Sequence, residues 1–366
     1  MIRRAPIVLV GGFTVWGREE AFGIKYWGGP GRDIQDDLRA KGHPAVTAAP
    51  GPFSSNWDRA AEVYAQLRGG TVDYGRAHAE RFGHARFGRT YPGLLPDWEQ
   101  GAHFIGHSMG GQTIRVLAHL LAEGSEEERL ATPEGELSPL FRGGHPGVLS
   151  LTTLATPHLG TTLTRKREAL EGVAQRILAL AGGLSSSVYD LKLDQWGLQR
   201  LPLESWKAYR DRILASPLWA GTADFSAREL SPEGARDLNA RVRLPADVFA
   251  FSWSTAKTEP GPGGFHVPAP RMNLLWRSGA RYIGRAPGEG PDWFRSDGVV
   301  NTVSMAGPGG DPVEPCGGAP RPGVWSHMGV LEGWDHSEIL GMGPEHGDEV
   351  LPFYRTWAGF LDGIRP

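Results

Sequence analysis

The chain has 366 residues, enough for one large α/β domain or two ordinary ones, and its 40% hydrophobic and 22% charged content suits a globular protein with a sizeable core. A net charge of −3, with no block of like charge and no basic stripe, gives no reason to expect nucleic acid or an anionic membrane surface as partner. Cys316 is the one cysteine, which excludes an intramolecular disulfide and a thiolate-rich metal site, and no apolar run is long enough to span a membrane.

Ile7–Val10 is a short β-branched run ending at Gly11-Gly12, so the start of the chain reads as a buried strand and not as the core of a signal peptide. Helical spacing follows over 33–41 and stops at Gly42; 46–49 predicts a second short strand. A helix over 56–67 is expected to start on Ser54, Ser55 or Asn56 and to close at Gly69-Gly70. Phe104-Ile105 leads into G-H-S-M-G and a strong helix over 109–123, while 148–154 and 248–253 read as further buried strands. The final helix spans 348–364, with Val350, Leu351, Tyr354, Trp357, Phe360 and Leu361 on one side.

Strands alternating with helices indicate an α/β fold with a mainly parallel sheet, in a single domain with no clean linker. Four long segments interrupt the alternation, at about 51–97, 157–246, 255–296 and 306–323. Segments this long carry function or structure of their own; the last, rich in Gly and Pro, reads as a surface loop.

G-x-S-x-G arises easily by chance in a chain with 52 glycines, so its surroundings decide. A nucleophile elbow needs a buried strand before the serine and a helix directly after it, and Ser108 has both. Gly106 and Gly110 flank it where a side chain would crowd so sharp a turn. A serine hydroxyl needs a base, and in chain order the acid and then a late histidine should follow. His336 in GWDHSEILG is well placed, with His327 and His346 as competitors; Asp297, Asp292 and Asp335 are not separated by spacing alone. Acyl transfer also needs two backbone donors for the oxyanion, and the N–H groups of Met109 and Phe13 are the candidates.

PIVLVGGFTVWGREEAFGIKYWGG, SSNWDRA, GGTVDYGRAHAERFGHARFGRTYPGLLP, KLDQWGL, DGVVNT and the late Asp-His together resemble the thermoalkalophilic bacterial lipases of Geobacillus type, with the staphylococcal lipases as more distant relatives. The resemblance runs from about residue 5 to the C-terminus. It implies an α/β-hydrolase fold with a mainly parallel central sheet, a zinc-binding insertion at about 51–97 and a lid region at about 157–246. The implied function is that of a secreted, thermostable triacylglycerol lipase, its signal peptide absent from the chain as given. Matching the motifs implies Ser108 as nucleophile, Asp297 as acid and His336 as base, with Phe13 and Met109 at the oxyanion-hole positions. Two departures stand out: the elbow has Gly and Met where the Geobacillus lipases have Ala and Gln, and Gly11 replaces a histidine, which points to a looser oxyanion loop.

The resemblance also implies a structural zinc held by Asp58, His78, His84 and Asp194; His78 and His84, six residues apart, do not by themselves make a zinc spacing. For calcium, Glu338 and Pro344 match the family's pattern and Gly264 matches only if a gap is allowed. Gly343 stands where an Asp ligand is expected, which implies a weak or absent site. Within 157–246, Leu163, Leu170, Val173, Ala174, Ile177, Leu178 and Ala181 recur at helical spacing, as in a lid or in an ordinary amphipathic helix. The expected partner is a lipid or ester at an oil–water interface, met by a monomer or weak dimer. A carboxylesterase or phospholipase A1 is the alternative within the class, and an inactive lipid-binding protein the alternative outside it.

Overall fold

Alternate residues of β1 (Ile7–Val10) face opposite ways: Val8 and Val10 enter one hydrophobic core, Ile7 and Leu9 another. That division runs through the molecule, because β1 lies in a parallel sheet covered on both sides. The computed structural model describes residues 4–95, 98, 101–145, 147–165, 190–216, 224–285, 289–343 and 345–364.

After β1 come α1 (Ile34–Ala40), β2 (Ala45–Ala48), α2 (Asn56–Arg68) and the small antiparallel hairpin of β3 (Gly70–Asp73) and β4 (Phe87–Tyr91), with α3 (Arg76–Phe82) between its strands. The sheet continues with β5 (Ala102–His107), followed by α4 (Met109–Glu123), β6 (Val148–Leu154) and β7 (Phe249–Ala256). A second hairpin, β8 (Thr258–Pro260) and β9 (His266–Pro268), precedes β10 (Val313–Pro315), β11 (Trp325–Glu332) and a C-terminal helix at Gly347–Leu361. The strand order is β10-β11-β7-β6-β5-β1-β2, with every pairing parallel.

Helices α2 and α4 close one face of the sheet through Ala60, Val63, Leu67, Ile114, Leu117 and Leu121. The other face meets α1 and the C-terminal helix through Ile34, Leu38, Val350, Tyr354, Trp357 and Leu361. Ser55 caps α2, its Oγ accepting from the Asp58 N–H at 3.2 Å. A third cluster joins Phe53 to Leu191, Leu193, Tyr209, Ile213 and Phe225, with Phe13 packed on its edge.

The two edge-side strands depart from expectation. Val313–Pro315 turns the Gly/Pro-rich segment into a short edge strand. β11 has no clean period because its register against β7 slips between His327 and Val330, where Gly329 has φ 108°. Of the proposed lid helix, Leu163 is buried in a short 3-10 turn; Leu170, Val173, Ala174, Ile177, Leu178 and Ala181 lie outside the described residues.

Candidate active site and metal-ligating cluster

Ser108 stands between β5 and α4 with φ 55° and ψ −130°, a conformation that costs a non-glycine residue about 1–3 kcal/mol and needs surroundings that enforce it. The enforcement comes from close packing. A Cβ on Gly110 would lie 2.2 Å from the Val10 carbonyl oxygen, and one on Gly106 would lie 2.6 Å from the Gly110 backbone. The Gly11–Phe13 loop passes directly over Ser108, since a Cβ on Gly12 would be 2.6 Å from the Cβ of Ser108. Met109 opens α4, where the first-turn N–H groups lack intrahelical acceptors.

His336 lies in the turn after β11, and its ring joins the other two residues. Nε2 is 3.0 Å from Ser108 Oγ and Nδ1 is 2.7 Å from Asp297 Oδ2. Asp297 is fully buried and every lone pair is engaged: Oδ1 accepts from the N–H groups of Val299 and Val300 at 2.9 and 2.8 Å, and Oδ2 also accepts from Thr255 Oγ1 at 2.8 Å. The geometry can remove a proton from Ser108 and stabilise the imidazolium that results. It also separates the carboxylates that spacing left together. Asp292 is exposed, and Asp335 accepts from the Asn273 and Ser337 N–H groups, bracing the turn around His336. His327 bonds Ser252 in the sheet; His346 stacks on Trp334 and pairs with Glu349.

Tyr26 and His107 were not singled out by the sequence. The Gly12 N–H donates to Tyr26 Oη at 2.8 Å, Tyr26 donates to His107 Nδ1 at 2.8 Å, and His107 Nε2 donates to the His336 carbonyl at 2.9 Å. The relay requires a neutral His107, and burial, reinforced by nearby His336, pushes its pKa well below the ordinary 6.5. From the other side, buried Arg59 donates to the Gly11 and Gly51 carbonyls. The Gly11–Phe13 loop is therefore anchored at both flanks, contrary to the looseness expected from Gly11.

Asp58, His78, His84 and Asp224 form a cluster that could hold a metal ion, their ligand atoms within 4.8 Å of one another. Asp224, not Asp194, is the fourth member. Asp194 turns away to pair with Arg89 beside Asp190. The LDQW stretch still supports the cluster: Gln195 Nε2 donates to Asp58 Oδ2 at 2.8 Å, and Trp196 packs on His84. Asp224 arrives through the bridge between Ser54 and Phe225, from a segment with no periodic signal.

The donor set fits a cation. His84 Nδ1 donates to the Ala85 carbonyl at 2.9 Å, which leaves Nε2 as a lone pair. That buried Nε2 has no hydrogen-bond partner and faces Asp224 Oδ2 at 3.3 Å. Two acceptors this close call for a positive charge between them. His78 Nε2 lies 3.1 and 3.2 Å from Asp58 and Asp224, and its ring stacks on Trp57. Burial and the neighbouring Asp224 push the Asp58 carboxyl up, the response of crowded carboxylates. A coordinated cation removes that conflict.

Of the residues matched to calcium, the two that are described do not come together in this way. Glu338 is buried against the ammonium of Lys257, Gly264 is exposed at the turn of the β8–β9 hairpin, and Pro344 lies outside the described residues. Among the described residues no helix is long and apolar enough to cross a membrane.

Residues 3–359 match the family of the lipase-like C-terminal domain. Lipase 2 of Staphylococcus aureus is 37% identical over 96% of the chain, and a Staphylococcus epidermidis lipase is 35% identical over 98%. The chain spans about half the length of these curated relatives, 53% in both cases. Among solved structures, EstA from Clostridium botulinum superposes with a TM-score of 0.92 at 44% identity, covering 99% of this chain and 88% of that one. Lipase 1 from Pelosinus fermentans gives 0.90 at 41% identity with full coverage of both, and Staphylococcus hyicus lipase gives 0.86 at 32%, covering 98% and 96%.

Proposed function

The chain belongs to the lipase family whose members it matches along its length, and from that premise we propose that it is a secreted serine ester hydrolase, a triacylglycerol lipase. The observation that carries the proposal is the His336 ring between Ser108 Oγ and Asp297. His336 Nε2 takes the hydroxyl proton as Oγ attacks the ester carbonyl carbon, and Asp297 stabilises the imidazolium. The N–H groups of Phe13 and Met109 hold the oxyanion. Its collapse expels the alcohol, which receives the proton from His336. Water, deprotonated by the same ring, then releases the acid from Ser108.

Asp58, His78, His84 and Asp224 would hold zinc, and with all four ligands from the protein it would supply cross-linking and not catalysis. It would tie the 51–97 insertion to the segment at 224, within the 157–246 region read as a lid. The blocks quoted above favour the Geobacillus-type branch, while G-H-S-M-G departs from it and the curated relatives matched are staphylococcal. An extracellular setting rests on the same kinship.

The test is labelling by a fluorophosphonate probe, with hydrolysis of short- and long-chain esters in solution and emulsion. Labelling of the wild type but not of Ser108→Ala, with preference for emulsified long chains, is expected. Labelling with short-chain activity alone makes it a carboxylesterase; failure to label overturns the enzyme reading.

A further inference from the structure

Lys257 follows β7, and its side chain runs into the interior behind the active site with only 2% of its surface exposed. Its Nζ lies 2.6 Å from Glu338 Oε1 and 2.9 Å from Glu345 Oε2. Glu338 is two residues past His336, and its other oxygen accepts the Asp335 N–H at 2.7 Å. The ammonium therefore holds the carboxylate that holds the turn carrying His336. The backbone of Lys257 reaches the other partner: its N–H donates to the carbonyl of Ser296, next to Asp297, at 3.0 Å.

This is the place where the sequence resemblance implied calcium, and the residues do not fit it. A cation between Glu338 and Glu345 would displace or face a buried ammonium already within hydrogen-bond distance of both. Gly343 supplies no carboxylate, and the Glu338 side chain fills the space beside it, with Cγ 2.0 Å from where a Cβ would stand. His346, close enough to complete a ligand trio with Glu338 and Glu345, spends Nδ1 on Glu349 and Nε2 on the Gly333 carbonyl.

We infer that Lys257 is a positioning residue, a built-in cation that fixes the His336 turn against Asp297 and makes this turn independent of calcium. The inference rests on His336 being the base, which probe labelling of Ser108 in the wild type tests separately. Calcium-depleted protein retaining its other metal is titrated with calcium while kcat and KM for a soluble short-chain ester and Tm are read. The wild type is expected to show no change in any of them. Lys257→Ser, which leaves space between the carboxylates, is expected to lose roughly tenfold or more in kcat with little change in KM, as when a base shifts by a fraction of an ångström. Calcium then restores part of its kcat and Tm. A wild-type response to calcium, a Lys257→Ser variant as active as wild type without calcium, or a deficit that calcium leaves untouched overturns the inference. If Lys257→Ser does not fold, the double variant Lys257→Met/Glu338→Gln removes the buried pair and strands no buried carboxylate, since partly exposed Glu345 keeps Arg271 at 2.8 Å. Its kcat is expected to fall roughly tenfold, and wild-type turnover there overturns the inference.

Discussion

The carbonyl oxygen of His336 accepts a hydrogen bond from Nε2 of His107, 2.9 Å away. Through Tyr26 that bond continues to the N–H of Gly12, so the loop over Ser108 and the turn carrying His336 share one buried relay. Tyr26→Phe keeps the ring but strands the Gly12 N–H and His107 Nδ1. We expect a loss of about 1–3 kcal/mol in stability, the cost of unsatisfied buried polar groups. Turnover should fall while KM stays nearly constant, since both halves of the catalytic frame loosen together. Thermal melting and steady-state kinetics check this; unchanged kcat would show that the relay does no positioning.

The same relay predicts how stability responds to acid. Burial depresses the pKa of His107, and of His158, which bonds Thr153 and lies edge-on to Trp325. Folded values below the ordinary 6.5 mean that the unfolded chain takes up protons first. Stability from these residues is complete above about 6.5 and declines as the pH falls below it, by at most about 1.4 kcal/mol per pH unit for each histidine. Denaturant unfolding at neutral and mildly acidic pH measures the slope. His158→Gln should flatten it, and an equal slope in that variant refutes the assignment.

Metal ligation distinguishes two aspartates that sequence likeness confuses. Asp224→Ala should lose bound metal and about 3 kcal/mol or more of stability, because His84 and Asp58 keep their burial without the shared cation. Asp194→Ala should keep the metal and lose only its pairing with Arg89. Elemental analysis beside thermal melting reads both; metal loss in Asp194→Ala with retention in Asp224→Ala would reverse the assignment.

Strain at the elbow predicts a trade between stability and activity. Ser108→Gly places a residue tolerant of φ 55° in the turn and should gain about 1–3 kcal/mol while abolishing hydrolysis. A lower Tm in that variant would mean that Ser108 is not strained. Asp297→Asn puts an amide N–H among groups that all donate to the carboxylate, so kcat should fall by about 10⁴. Loss of probe labelling at Ser108 should accompany it.

Much of this molecule follows from local pattern. Ile7–Val10, Met109–Glu123 and Val148–Leu154 sit where the runs of apolar residues place them, because a parallel strand buried on both faces needs a continuous run and a helix needs a stripe. The proposed nucleophile is legible for the same reason: a strand, a serine between glycines and a helix are contiguous. β11 was not, because its slip at Gly329 breaks the period. Asp297, Asp292 and Asp335 were equivalent as spacings and differ only in where the folded backbone turns their carboxylates.

Sequence alone therefore determined what depends on neighbours along the chain: the core strands, the elbow and the late histidine. Tertiary structure alone decided what depends on distance through space: Asp224 in place of Asp194, Tyr26 and His107 behind the catalytic frame, and the Lys257 ammonium beside Glu338. Each of those last contacts joins residues at least 81 positions apart, or brings in a ligand from a segment without periodicity. Charge and hydrogen-bond satisfaction are settled among whichever groups the fold brings together, and a linear pattern carries no record of them.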